Sequence, residues 1–144
     1  MKSSCKSIYK LARNYAGLTQ EQAAQLMNIG ARTLAGYESL KPIPNNYIVE
    51  KMVSVYEAKW LGYEHLRCSS ELGKKCLPKI NIDNIAQSIL LLQKESEDVE
   101  NIKSSMIKIA CDGKIEKHEE SQWNKVTKEL QEMAGATLSV VFSR

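Results

Sequence analysis

Residues 18–38 restrict the fold of this chain more than any other stretch, because they predict two short helices that are almost directly joined. Thr19, followed three residues later by Gln22, forms the capping-box pattern that begins a helix. Asn28 stands where that helix ends, since asparagine is second only to glycine in adopting a positive φ there. The second helix begins near Gly30. Only three or four residues therefore separate the two helices.

The rest of the chain follows the apolar period of helices rather than the two-residue period of strands. Gly17 ends a helix before the joined pair, and Asp112-Gly113 separates two longer helices near the other end. Only residues 136–142 offer an alternation typical of a strand. We therefore predict an all-α fold. The predicted helices, with their caps, cover about residues 4–16, 19–28, 30–40, 46–56, 59–67, 81–109 and 117–140.

The domain organisation follows from a break at residues 68–79, which is rich in serine, glycine and proline. Residues 1–78 carry 11 basic and 6 acidic side chains, a net charge of +5, whereas residues 79–144 carry 9 and 11, a net charge of −2. We predict a five-helix domain at 1–68, a linker at 69–80 and a long antiparallel helical hairpin at 81–144. The basic front half suggests a module that faces nucleic acid.

The joined pair of helices has the features of a helix-turn-helix. A small residue, Ala24, lies where the two backbones must cross closely, and Ile29 fills the turn. This arrangement holds its second helix outward, so that the helix can enter the roughly 12 Å wide major groove of DNA.

On these motifs, residues 5–58 resemble the Xre/Cro-type family, which has the lambdoid phage repressor fold. Two positions depart from the family pattern. Asn28 replaces the usual glycine, and Gly30 replaces the usual serine cap, which weakens the start of the second helix slightly. The matching motifs are Leu18-Thr19-Gln20, Ala24, Asn28-Ile29-Gly30, Thr33-Leu34 and Tyr37-Glu38.

The resemblance implies a set of DNA-contacting residues. Arg32, the one long polar side chain among the outward positions, would bind a guanine edge through two hydrogen bonds, and Ala31 would pack on a thymine methyl group. Gln20 would reach a phosphate, which the free N–H groups at the start of its helix also favour. Alternatively, Arg32 is a solvated surface residue that contacts no base, and Gln20 serves only to start its helix. The whole implied set is Gln20, Ala31, Arg32, Thr33, Ala35, Gly36 and Lys41.

The remaining members of this set have less specific roles. Thr33 and Lys41 would contact phosphates. Gly36 costs about 1 kcal/mol of helix propensity relative to alanine, which a close backbone approach would offset. Arg13 and Glu38 match an ion pair of the family, and we interpret both as structural.

Residues 56–144 resemble, more loosely, short phage-type regulators of Gram-positive bacteria, which implies a helical hairpin of undefined role. The residues themselves predict oligomerisation, because one hairpin cannot bury all of its apolar side chains. We expect Ile82, Ile85, Ile89 and Leu92 to face Trp123, Val126, Leu130 and Met133 across the hairpin. The apolar residues left for a second copy to cover are Leu90, Leu91, Ile102, Leu138, Val140, Val141 and Phe142.

We predict no metal and no cofactor. The Asp112-Gly113 turn resembles half of a calcium loop, but the first ligand positions before it carry no side-chain oxygen. The spacing of His65, Cys68 and Cys76 lacks a fourth zinc ligand nearby. We interpret the histidine as a packed residue and the cysteines as buried thiols.

The sequence also argues against a membrane protein, a secreted protein and an enzyme. The longest apolar run, residues 89–92, is too short to span a bilayer, and the N-terminus lacks the apolar core of a secretory signal. We therefore expect a cytoplasmic protein. No phosphate loop, nucleophile elbow or acid–base pair indicates catalysis. The acidic run Glu95, Glu97, Asp98 and Glu100 is interpreted as a solvated helix face.

These features together predict a sequence-specific DNA-binding transcriptional regulator. We expect a prophage-type repressor that acts as a homodimer on a palindromic operator in double-stranded DNA. Its basic residues, which include Lys2 and Lys6, would make binding depend on salt. The alternative is an autoregulating partner-binding protein, such as an antitoxin, whose hairpin binds another protein.

Overall fold

The computed structural model describes residues 7–82 and 84–143, and the described part contains helices and no strand, which confirms the predicted all-α class. The chain divides into two compact units, an N-terminal unit at 1–77 and a C-terminal unit at 78–144. The helices are α1 (Ile8–Tyr15), α2 (Gln20–Met27), α3 (Ala31–Glu38), α4 (Asn46–Tyr56), α5 (Lys59–Cys68), α6 (Glu71–Cys76), α7 (Ile85–Ala110) and α8 (Glu120–Val141). Residues 136–142, which offered a strand-like alternation, lie mostly within α8.

The core of the N-terminal unit comes from the inner faces of α1 to α5. Burying each large apolar side chain there contributes about 1.5–3 kcal/mol. Small residues, among them Ala12, Ala23 and Ala24, are buried between the larger ones and let the helices approach closely. The largest fully buried apolar side chains of this unit are Met27, Leu34, Met52, Trp60 and Leu61.

Helix α1 begins later than the sequence predicts. Its N-cap is Ser7, whose hydroxyl accepts a hydrogen bond from the Lys10 backbone N–H at 3.4 Å. The predicted start at Ser4 lies outside the described residues, as do Lys2 and Lys6. Gly17, with φ +70°, ends the helix as predicted.

The predicted linker at 69–80 contains a helix, which is a correction to the expected organisation. Ser70 caps α6 by accepting from the Gly73 N–H at 2.9 Å. A Cβ at Gly73 would collide with the backbone carbonyl oxygen of Leu66, so this glycine allows α6 to pack on the end of α5. The serine and glycine content that suggested a flexible linker therefore serves capping and close packing.

The C-terminal unit consists of an extended segment, residues 78–82, and the hairpin of α7 and α8. The prediction that Asn81 caps the long helix is wrong, because Asn84 is the N-cap and accepts from the Gln87 N–H at 3.1 Å. The Asn81 N–H instead donates to Ser139 Oγ at 2.9 Å. A Cβ at Gly135 would collide with the Lys79 carbonyl, so the extended segment lies directly on α8.

The face that α7 buries differs from the predicted one. Ile85 and Ile89 are 50% and 47% exposed, whereas Ser88 is buried and Glu95 is only 6% exposed. Ser88, Glu95 and Ile109 are seven and fourteen residues apart, so the buried seam follows a heptad spacing that leaves the isoleucines at its edge. The interpretation of Glu95 as a solvated residue is therefore wrong.

The extended segment gives a physical reason for this change. It packs on α8 around Gly135 and Ser139, and its Ile80 is buried. Ile80 is thus buried, whereas the apolar period of the sequence predicted burial in the first turns of α7. No helix in residues 7–82 and 84–143 is long and apolar enough to cross a membrane.

Candidate nucleic-acid interface

Helices α2 and α3 form a helix-turn-helix whose local hydrogen bonds follow from the sequence. The capping box is present, with Gln22 N–H donating to Thr19 Oγ1 at 3.2 Å and Thr19 N–H donating to Gln22 Oε1 at 2.9 Å. Asn28 has φ 54°, and the following Ile29 N–H donates to the Ala24 carbonyl at 3.0 Å. This is the Schellman arrangement that ends a helix on a left-handed residue.

The inner face of the pair fixes how α3 is presented. Ala24, Met27 and Leu34 are buried, whereas Leu26 is 62% exposed. Gly30 is the N-cap of α3 and makes no side-chain cap hydrogen bond, as predicted. Packing rather than capping therefore holds the start of α3.

The residues implied to contact DNA lie on and next to α3. Arg32 and Thr33 are exposed, and Ala31 and Ala35 are half-buried. Among the described residues, no hydrogen bond or ion pair engages the Arg32 side chain. An exposed guanidinium without a protein partner keeps its planar array of donors available for a base edge or a phosphate.

The end of α3 explains Gly36. Leu40 has φ 60°, its N–H donates to the Tyr37 carbonyl, and the Lys41 N–H donates to the Gly36 carbonyl at 3.0 Å. A Cβ on Gly36 would lie 3.1 Å from the Lys41 carbonyl oxygen. The group that approaches Gly36 closely is thus the backbone of the turn that follows α3. This turn places the exposed Lys41 just past the end of α3.

Three polar side chains tie the pair of helices to α1. Arg13 binds the Glu38 carboxylate through two nitrogens, with Nη2 at 3.0 Å from Oε2, and its Nη1 donates to the Leu18 carbonyl at 2.7 Å. Gln20 Nε2 donates to Glu38 Oε2 at 2.8 Å. Burial acts to raise the pKa of Glu38, but the hydrogen bonds from Arg13 and Gln20 outweigh it and leave that pKa below its ordinary value. The structural role predicted for Arg13 and Glu38 is confirmed.

The hydrogen bond from Gln20 to Glu38 was not predicted, and no sequence signal marks it, since the residues are 18 apart. It orients the Gln20 side chain, while a second N–H of the same amide stays available as a donor. Gln20 thus joins the first turn of α2 to the last turn of α3.

His65 forms a second set of polar contacts, which joins α5 to α1 and α4. Its ring is buried, with Nδ1 at 2.8 Å from the Tyr9 hydroxyl and Nε2 at 3.0 Å from Asn46 Oδ1. Both contacts are satisfied when the neutral ring carries its proton on Nε2, and burial lowers the pKa of His65. Both ring nitrogens are engaged, so the packed histidine interpretation is confirmed. The interpretation of Cys68 and Cys76 as buried thiols is wrong, because Cys68 is half-buried and Cys76 is exposed.

Comparison with known proteins agrees with this geometry. A family model described as helix-turn-helix matches residues 10–59, about a third of the chain. No curated protein and no solved structure matches the chain significantly. Residues 10–59 therefore form a helix-turn-helix domain, which is similar to the Xre and lambda repressor-like type.

Proposed function

We propose that this protein is a cytoplasmic, sequence-specific transcriptional repressor of the prophage type. The observation that carries the proposal is Arg32, which is exposed and has no partner within residues 7–82 and 84–143. It lies on the outward side of a helix whose opposite side is fixed by Leu34. Helix α3 enters the major groove, where Arg32 reads a guanine through O6 and N7. A bound repressor then excludes RNA polymerase from the promoter.

The other contacts position the domain on the duplex. Gln20, Thr33 and Lys41 bind phosphates, and such contacts supply affinity and register rather than sequence information. Ala31 and Ala35 let the helix approach the bases closely. Gly36 contributes indirectly, because its missing side chain allows the turn that carries Lys41.

The proposed repressor is a homodimer through its C-terminal unit. Support comes from apolar side chains that the hairpin leaves exposed, among them Ile85, Ile89 and Ile107 on α7. Ile85 and Ile89 are four residues apart, and Ile107 follows five helical turns after Ile89, so all three share one face. A two-fold dimer would place two α3 helices about 34 Å apart, one turn of DNA, and would read a palindrome.

The test is selection of bound fragments from a random DNA pool by the full-length protein, followed by affinity measurements over a salt series. We expect one enriched inverted repeat, and a log–log slope of about −0.9 for each neutralised phosphate. Scrambled DNA of equal length is the control. A pool without enrichment, or affinity that does not change with salt, would remove the proposal.

A second candidate function is partner binding with DNA binding kept for autoregulation, as in an antitoxin. The same exposed face of α7 favours it, because another protein could cover that face instead of a second copy. Co-purification from the native host separates the two. A stoichiometric second protein would favour this candidate, and the chain alone would favour the homodimer.

A further inference from the structure

Three glutamates converge within the C-terminal unit. Glu129 and Glu132 are three residues apart and share one face of α8. Glu95 reaches them from α7, and a carboxylate oxygen of each of the three lies within 4.8 Å of the others. Carboxylates at this separation repel one another unless a positive charge or a proton lies among them.

Glu95 provides an independent sign that something is bound. Its side chain is only 8% exposed, and its Oε2 has no hydrogen-bond partner in the part of the chain that the structure describes. A buried carboxylate oxygen without a partner is costly, because water no longer solvates it. Glu95 also lies on the buried seam of α7, a position that the helix pair otherwise gives to Ser88 and Ile109.

The lysines nearby do not satisfy this oxygen. Lys94 Nζ lies 3.0 Å from Glu95 Oε1 and also pairs with Asp98. Lys128 Nζ lies 3.7 Å from a Glu132 oxygen. Both lysines are about two-thirds exposed and approach from the edge of the cluster. Among the described residues, Glu95 Oε2 therefore remains without a partner.

We propose that Glu95, Glu129 and Glu132 bind a hard divalent cation, such as Ca²⁺ or Mg²⁺, between α7 and α8. Carboxylate oxygens suit these cations, whereas zinc and copper favour nitrogen and sulfur ligands. Two oxygens bound to one Ca²⁺ at about 2.3–2.6 Å lie no more than about 5 Å apart, so the three glutamates can share one ion.

Water would complete the coordination. A groove of about 290 Å³ adjoins the cluster, and its polar lining consists of Glu95, Glu132, Asn81, Ser139 and Lys79. The site differs from the Asp112-Gly113 turn, where the sequence suggested half of a calcium loop, and it departs from the prediction of no metal. The bound ion would clamp the two helices of the hairpin together.

The experiment is calorimetric titration of the full-length, tag-free, chelator-treated protein with CaCl₂ and, separately, MgCl₂. We expect one ion per chain. Glu95→Gln, Glu129→Gln and Glu132→Gln should each weaken binding at least tenfold, because each removes a charged ligand. Glu97→Gln is the matched control, since Glu97 is an exposed glutamate of the same helix, and it should bind like the parent protein.

A second readout is the thermal midpoint, followed by circular dichroism. Saturating cation should raise the midpoint of the parent protein and of Glu97→Gln, and should leave the three cluster variants unchanged. The proposal is overturned if neither cation binds, or if Glu97→Gln weakens binding as much as the cluster variants do.

Discussion

At the residue scale, two long polar side chains of the candidate interface differ in whether other residues hold them in place. These side chains belong to Arg32 and Gln20. Among the described residues, nothing engages the Arg32 guanidinium, so its conformation is set by the ligand. Gln20 is held by Glu38 at 2.8 Å, and Glu38 is held in turn by Arg13. The first side chain is suited to selecting a base, and the second to a fixed contact with the backbone of DNA.

Arg32→Ala should therefore cost about 1–3 kcal/mol of binding free energy and relax the preference at one base pair of each half-site. Gln20→Ala should weaken all sequences to a similar degree. Competition binding against a panel of single-base operator variants measures both effects. If Arg32→Ala keeps the parent affinity and preference, α3 does not read the bases through this residue.

His65 should make the stability of the N-terminal unit depend on pH. Burial lowers its folded-state pKa below the ordinary 6.5, so the unfolded chain binds the proton more readily. The contribution of His65 to the free energy of unfolding is complete above about pH 6.5. It is lost as the pH falls from there through the folded-state pKa of His65. Urea unfolding followed by Trp60 fluorescence, with Trp123 replaced by phenylalanine, should show this loss.

The control for this pH dependence is His65→Gln, which cannot titrate. Its free energy of unfolding should fall less between about pH 7.5 and 5.5 than that of the parent protein. Equal slopes for the two proteins would show that His65 does not carry the effect.

At the scale of the element, the helices of the interface are short enough for their ends to matter. Helices α2 and α3 have eight residues each, and helices of this length are not stable by themselves. Helix α2 begins with a complete capping box and ends with Asn28 in the left-handed region. Helix α3 lacks a side-chain cap at its start and depends on the packing of Leu34.

Thr19→Ala should lower the free energy of unfolding of the N-terminal unit by about 1 kcal/mol, because it leaves the Gln22 N–H without its acceptor. Urea unfolding measures the change. Gln25→Ala, an exposed substitution within the same helix, is the control and should stay within about 0.5 kcal/mol of the parent protein. An equal loss in both variants would mean that the cap is not the cause.

For the whole molecule, each unit has its own core, and this suggests separable roles. Trp60 and Leu61 are buried in the N-terminal unit, and Val126 and Ala136 in the C-terminal unit. The N-terminal unit contains the helix-turn-helix. The C-terminal unit exposes an apolar face and holds the glutamate cluster. Removal of the C-terminal unit should therefore disrupt dimer assembly more than the fold of the N-terminal unit.

A fragment of residues 1–77 should be a folded monomer that binds the operator weakly, because its two half-sites are no longer linked. The full-length chain should sediment as a dimer at micromolar concentration. Ile85→Glu/Ile89→Glu should dissociate the dimer by placing charge on the exposed face of α7. Leu72→Glu, at an exposed leucine of α6, is the matched control. A monomeric full-length chain, or a dimeric fragment, would contradict this assignment.

Local patterns in the sequence determined where α2, α4 and α5 begin and end. The capping box at Thr19, the left-handed Asn28 and the bounds of α4 were all predicted, because the groups that satisfy a helix terminus lie within four residues of it. The helix-turn-helix followed from the same signals. The exposure of Arg32 and the ion pair of Arg13 with Glu38 were expected from the family resemblance.

Only the tertiary structure decided which polar residues are buried and which of several possible caps is used. Asn81 and Asn84 are equivalent locally, but the Ser139 hydroxyl, 58 residues away, engages the Asn81 N–H. The charged run around Glu95 predicts a solvated residue, but Glu95 is buried on the heptad seam that α7 shares with α8. Gln20 meets Glu38 because two helices cross. Each outcome depends on partners distant in the chain, whose contacts form only when helices pack, and periodicity within one helix carries no information about them.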